Sequence, residues 1–294
     1  MDSLASLRHK IANADELESV VRTMKAMAAS SIGQYENAVR SLDEYYRTVE
    51  LGLSACLRLH KAAGHAYLAA LKQSGPTGVI IFGSDQGLVG QFNDVLVEFA
   101  LDNLTRMEGN RQVWAIGDRI RARLAETSLA PAADFMLPNS MHAITPLVGQ
   151  ILIEIEAQLE QGALDRVYLI FHRPHSGAVY TPVMQQLLPL DETWRSNLLD
   201  LCWPTRKLPQ VMNSSEKTLA ALVREYLFVS LFRACAESLA SENASRLAAM
   251  QRAEKNIDEI EEELKRLFQR LRQSSIDAEL FDVISGFEAL SKAR

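Results

Sequence analysis

Residues 250–271 read MQRAEKNIDEIEEELKRLFQRL, with Met250, Ile257, Leu264 and Leu271 in one column at heptad spacing and Ala253, Ile260 and Leu267 in a second. Glu261–Lys265 and Glu262–Arg266 stand four residues apart on the outer face, where opposite charges support a helix. Outward from this stretch, the interval Ser214–Leu290 has no proline and one glycine, Gly286. Either residue in a helix interior costs roughly 1 to 3 kcal/mol relative to Ala. Asn213 and Ser214 offer side-chain acceptors to the first free amides, and Glu216 puts negative charge in the first turn. The spacing predicts a single helix of about 75 residues, a rod of roughly 110 Å at ~1.5 Å per residue. A stripe of that length needs a partner of similar length.

The other end of the chain offers one. From Leu4 to about Leu59 one column reads Leu4, Ile11, Glu18, Lys25, Ile32, Val39, Tyr46, Leu53, and the other Leu7, Ala14, Val21, Ala28, Tyr35, Leu42, Val49, Cys56. A 3-4 alternation held this long imposes a left-handed supercoil on whatever it packs against. Where the first column turns polar, at Glu18 and Lys25, Leu17 and Met24 are expected to take over the seam. Polar residues at seam positions act as register markers; the competing reading has Met24 and Lys25 facing a different partner. Of the internal glycines Gly33 and Gly52, Gly52 is the expected bend.

Between the helices the period changes at Gly75-Pro76. Thr77–Phe82 (TGVIIF), Gln112–Ile116 (QVWAI), Ala132–Met136, Arg166–Phe171 (RVYLIF) and Val179–Leu188 read as strands. Asp94–Met107, Asp118–Leu124 and Ser140–Gln161 read as helices, so the middle of the chain is an α/β layered sheet. The loop Arg173–Gly177 makes the last strand an antiparallel edge partner, and Leu190–Pro209 is read as a plain connection. The fold class is α/β plus a long coiled coil. Its domains are 1–62 (N-terminal helix), 76–210 (inserted α/β domain) and 213–294 (C-terminal helix pairing with the first).

Bulk properties narrow the functional classes. The 294 residues are 48% hydrophobic and 23% charged with net charge −6, and a nucleic-acid binder would show a basic excess. Cys56, Cys202 and Cys235 are odd in number and far apart, which fits reduced thiols in a cytosolic protein. The N-terminal residues lack a signal-peptide apolar core, and no apolar run approaches the ~20 residues that cross a bilayer. Membrane association is expected only through partners.

The most site-like stretch is Gly83–Asn93 (GSDQGLVGQFN), glycine-rich, after a strand and before a helix, as phosphate loops are. It lacks the Gly-Lys-Ser/Thr ending of a P-loop, the G-x-G-x-x-G fingerprint and the G-x-S-x-G elbow. A tight structural or contact loop with Ser84 or Asp85 as a cap is the expectation. His172 and His175 flank Arg173-Pro174 without a nearby thiol or carboxylate, so no metal site is expected. His142, Trp114, Trp194 and Trp203 are read as packing or surface residues, and Glu261–Glu263 as a solvated face. No nucleophile, acid and base converge, and neither catalytic residues nor a cofactor are expected.

Several motifs in register carry a resemblance. Ser19–Ser30 (SVVRTMKAMAAS) is similar to KITKAMKMVAAS, matching at Met24, Lys25 and Ala28-Ala29-Ser30, and Ser84–Asn93 is similar to SDRGLCGGLN. Glu242, Arg246 and Met250 with Asn256 resemble ExxxRMxAM…N, and Arg272–Gly286 resembles RQxxITxELxEIxxG. These are signatures of the γ subunits, the central-stalk rotors, of F-type ATP synthases. The chain departs from them at Gln86 (usually Arg), Val89 (often Cys), Gln91 (Gly), Ser31 (Lys), Asp277 (Thr) and Glu288 (a small residue), which marks it as a divergent member.

The resemblance implies an antiparallel coiled coil around a Rossmann-like α/β domain, its tip in the central hole of a hexameric ATPase head. It implies three catalytic-head α and three β subunits, an ε subunit and the membrane c-ring as partners, with the α/β domain at the foot. Met24 and Lys25 would lie near the moving lever of a catalytic subunit. Arg272 and Gln273 would grip a head loop, with Ile276, Asp277 and Glu279 beside them. Ser84, Asp85 and Gln86 at the foot or along the shaft, and Arg246, complete the implied partner contacts. The implied role is torque transmission by a non-catalytic subunit, peripheral on the cytoplasmic side of a bacterial cell membrane. The apolar end from Arg272 onward would outreach its helical partner, which is expected to pair up to about Ile260. A non-rotary coiled-coil scaffold, or an enzyme with its site in the α/β domain, are the alternatives.

Overall fold

The computed structural model describes residues 3–59, 75–107, 109–175, 178–190, 192–205, 207, 209–210 and 214–292. Asn213, residues 60–62 and 176–177, and the Glu288 side chain lie outside the described parts. Two compact units form, one from Met1–Met27 with Leu247–Arg294 and one from Ala28–Arg246. Helices α1 (Leu4–Leu59) and α6 (Ser215–Lys292) contribute to both.

The larger unit is built on a five-stranded sheet, β1 (Thr77–Phe82), β2 (Arg111–Ile116), β3 (Ala133–Phe135), β4 (Arg166–His175) and β5 (Ala178–Leu188), in the order β3-β2-β1-β4-β5. The first four strands run parallel and β5 antiparallel to β4. Alternation divides β1 between two cores. Val79 and Ile81 face α2 (Phe92–Leu104) and α3 (Asp118–Ala125), joined by Leu96, Ala100, Ile120 and Leu124. Ile80 and Phe82 face the other side, where α4 (Met141–Glu160), α5 (Glu192–Asp200), α1 and α6 close the core through Ile151, Leu198, Leu53 and Leu231. Apolar runs buried on both faces are what a parallel sheet requires.

Two expectations are corrected in this unit. The loop read over Arg173–Gly177 is in part strand, because β4 continues through Arg173 and Pro174 to His175 with Arg173 opposite Thr181. The connection read over Leu190–Pro209 contains helix α5, whose Leu198 is buried and whose Trp194 rests edge-on against Tyr226. Gly52 lies within a continuous α1. A Cβ there would stand 3.1 Å from Leu222 Cδ2, so the missing side chain serves a close approach of α1 and α6.

In the smaller unit the two helices pair antiparallel: Lys25 ion-pairs with Glu254, and the Arg8 guanidinium lies 5.4 Å from the Phe268 ring centroid. Leu7, Ala14 and Val21 are buried as the second N-terminal column predicted. The C-terminal seam differs from expectation. Met250, Ile257, Leu264 and Leu271 face inward, but the second column is Glu254, Glu261 and Phe268, one residue on from Ala253, Ile260 and Leu267. Ile260 is 53% and Leu267 39% exposed. Leu17, expected to replace Glu18 in the seam, is 56% exposed, while Glu18 and Lys25 stay half-buried there. The acidic second column brings Glu254 opposite Lys25, with which it ion-pairs. Pairing also runs past Ile260 as far as Phe268.

Candidate functional site

The glycine-rich loop after β1 is held by its own polar side chains. Asn93 Nδ2 donates to Ser84 Oγ (2.8 Å), Ser84 N–H donates to Asn93 Oδ1 (3.1 Å), and Ser84 Oγ donates to the Gln86 carbonyl (3.0 Å). Asp85 Oδ1 accepts the backbone N–H of Asp118 (2.9 Å) and so caps α3 from a different loop, in the place favourable to a negative charge. Gly83 is forced by space, since a Cβ would fall 2.2 Å from Ile120 Cβ. Gly117 is forced by backbone, with φ +112° and the Ser84 carbonyl oxygen 2.8 Å from any Cβ. The loop then turns outward at Leu88, a non-glycine residue at φ +62° that is 61% exposed, and back inward at buried Val89.

Helix α6 meets this region with a polar face. Ser238 Oγ donates to the Phe82 carbonyl (3.0 Å), Ser241 Oγ to the His172 carbonyl (3.2 Å) and Ser245 Oγ to the Val89 carbonyl (2.6 Å), all three serines buried. Glu237, also buried, accepts from Arg173 Nε (2.7 Å) and Arg233 Nε (2.8 Å), and Arg233 reaches Asp43 on α1 (3.1 Å). His172 sits among Phe92 and Tyr180 and donates through Nε2 to the Phe92 carbonyl (2.8 Å); burial pushes its pKa down to about 4 and keeps it neutral. The carboxyl ends of β1 and β4 flank the point where the strand order reverses, the crevice in which doubly wound sheets bind ligands. In this chain α6 lies in that crevice, bonded to the carbonyls that would line it.

The residues singled out from sequence fall into two environments. Arg246 turns back along its own helix to Glu242 (2.6 Å); burial pushes the Glu242 carboxyl up, against the pull of Arg246. Ser84 is buried, Asp85 half-buried in its capping bond, and Gln86 exposed. Met24 and Lys25 are half-buried, whereas Arg272, Gln273, Ile276, Asp277 and Glu279 are exposed. Leu280, Phe281, Val283 and Ile284 follow, also exposed, with Phe281 at 69%. Sequence reasoning missed Glu237, Ser238, Ser241 and Ser245 as a group. The signal was present: polar residues at i, i+1, i+4 and i+8 fall on one helix face within an alanine-rich stretch. Among the described residues no three His, Cys, Asp or Glu side chains are placed to hold a metal ion. Burial pushes the Cys56 and Cys235 thiols up, which makes them unreactive packing residues.

Long terminal helices flanking a doubly wound sheet in the sequence are a fold that known proteins share. The profile of the ATP synthase family matches residues 3–290. The chain belongs to that family. It is 28% identical to the ATP synthase gamma chain of Syntrophus aciditrophicus and 27% to that of Nitrosomonas europaea, each match covering 99% of this chain and 100% of the relative. Among solved structures it resembles a chain of the Euglena gracilis mitochondrial ATP synthase OSCP/F1/c-ring assembly, with TM-score 0.67 and 16% identity over 98% of this chain and 94% of that one. A chain of the Tetrahymena thermophila central stalk/c-ring structure matches with TM-score 0.54 and 21% identity over 80% of this chain and 99% of its own. The fold class read from the sequence is therefore that of ATP synthase gamma chains. No helix among the described residues is long and apolar enough to cross a membrane.

Proposed function

We propose that the chain is the central rotor shaft of an F-type ATP synthase, transmitting torque between the ion-driven membrane ring and the catalytic head. Within a family of ATP synthase subunits, the supporting observation is the free end of α6: every residue from Arg272 to Ser285 is exposed, Leu280, Phe281, Val283 and Ile284 among them. Four large apolar side chains on an unaccompanied helix call for a surrounding surface. A largely hydrophobic sleeve in the head would bury them while making few directional bonds that oppose rotation.

In this reading residues 1–62 and 213–294 form the shaft and 76–210 the foot. The partners are three α and three β head subunits, an ε subunit and the c-ring. The chain is non-catalytic and peripheral, on the cytoplasmic face of a bacterial membrane. Met24 and Lys25 meet the lever of a catalytic subunit. Arg272 and Gln273 grip a head loop, with Ile276, Asp277 and Glu279 alongside. Asp85 and Gln86 face a partner at the foot or along the shaft, whereas Ser84, buried and bonded to Asn93, and Arg246, bonded to Glu242, are not free to do so and support the loop and the helix from within. A shaft without threefold symmetry presents a different face to each catalytic subunit, and those differential contacts bias nucleotide affinity.

The test is reconstitution. The chain mixed with head subunits should co-elute in size-exclusion chromatography, and Arg272→Ala with Gln273→Ala should lower the ATPase rate or assembly of the complex. A stable homodimer that leaves the head subunits unbound would replace the rotor by a coiled-coil scaffold.

A further inference from the structure

The four buried polar residues on α6 carry more than packing requires. At about 100° per residue, Glu237, Ser238, Ser241 and Ser245 fall within one ~100° sector of the helix. They engage three separate parts of the α/β domain: the last residue of β1 (Phe82), the loop that follows it (Val89), and β4 (His172, Arg173). Of the buried apolar residues around them Ala234, Ala236 and Ala240 are small, and Leu239 is the large one. Small apolar side chains on a helix leave its angle and axial position weakly specified. Hydroxyls bonded to fixed backbone carbonyls specify both, because turning the helix by one residue or sliding it by a turn orphans every one of these buried groups at once.

We propose that Glu237, Ser238, Ser241 and Ser245 are positioning residues that fix the angular setting of the shaft helix on the α/β domain, and that torque crosses between foot and shaft at this joint. The inference rests on the rotor reading and adds where the foot holds the shaft. The apolar core holds α6 against the sheet, and the directional bonds on this one face add to its resistance to turning about its axis. The crevice that would otherwise take a ligand supplies their acceptors, the open carbonyls at the carboxyl end of the sheet.

The experiment uses the whole membrane complex in sealed vesicles, with this chain as wild type or as the Ser238→Ala, Ser241→Ala, Ser245→Ala triple variant. ATP hydrolysis and ATP-driven ion uptake are measured on the same assembled, co-eluting preparation. The expected result is hydrolysis close to wild type with the ratio of ions moved to ATP hydrolysed reduced by roughly twofold or more, as the unbonded joint yields under load. A merely structural role would lower the yield of assembled complex and leave that ratio unchanged, and an unchanged ratio in assembled triple variant overturns the proposal. If the triple variant does not assemble, Ser241→Ala alone is read by the same ratio with the same two outcomes. Failure of the rotor reading is visible separately, as wild-type chain that neither co-elutes with the head nor supports ion uptake.

Discussion

Two stretches of α6 have the same secondary structure and opposite surroundings. Between Tyr226 and Ser245 nearly every side chain is buried or half-buried, and Glu237, Ser238, Ser241 and Ser245 are bonded to the α/β domain. Between Arg272 and Ser285 every side chain is exposed. Tertiary packing, more than local propensity, stabilises most helices in proteins. The first stretch has its packing within the chain, and the second carries large apolar side chains that no described residue of the chain covers. The difference separates a part of the molecule that is packed within the chain from a part that offers its apolar residues outward.

That contrast predicts a graded set of outcomes. The largest belongs to the α/β domain: Gly83→Ala would drive a Cβ into Ile120 and should lower stability by roughly 3 kcal/mol or more, read as a shifted denaturation midpoint. Next is a pH effect at His172. Its folded pKa of about 4 lies below the ordinary 6.5, so between those values the unfolded chain takes up a proton that the folded chain refuses. The contribution is full above pH 6.5 and is lost as pH falls toward 4, by up to about 3 kcal/mol. His172→Gln should flatten this part of the stability-versus-pH curve, and an unchanged curve would remove His172 as its source. A double-mutant cycle on Lys25 and Glu254 should return a coupling of about 0.2 to 1 kcal/mol that weakens with salt, since both side chains are partly exposed. Smallest is Leu280→Ala with Phe281→Ala, which should move the stability of the free chain by less than about 0.5 kcal/mol. The same pair should impair binding to the head, and a large loss of free-chain stability would mean that this end is packed within the chain after all.

The strands were legible because TGVIIF and RVYLIF combine β-branched runs with glycine or turn boundaries, and both are buried in the sheet. The capping role of Asp85 was legible in kind, since a short acidic side chain in a tight loop seeks free amides, though its target in α3 could not be read. The C-terminal seam was misread by one residue because an apolar side chain was preferred to a carboxylate at each step. At Lys25 the seam instead carries a complementary charge, Glu254, across the interface. Helix α5 was hidden by the prolines around it, Pro189 and Pro204, which made the interval look irregular. The polar face of α6 escaped because serine in a helix is ordinarily read as neutral filler. Its meaning depends on which carbonyls the sheet leaves open.

The pairing of α1 with α6 also bears on how the chain is made. Tyr45 bonds Glu225 across a separation of 180 residues, and Tyr46 stacks on Tyr226. By contrast β1, its loop, α2, β2 and α3 form one continuous interval, tied together by the Asp85 cap, and can close as soon as they are synthesised. At ribosomal rates of about 5 to 20 residues per second, α1 waits roughly 10 to 40 s for the helix that covers it. During that time Val49, Leu53 and Cys56, buried in the finished protein, have no cover from α6. The fold that gives the chain its long paired helices thus leaves the first helix synthesised waiting for cover from the last.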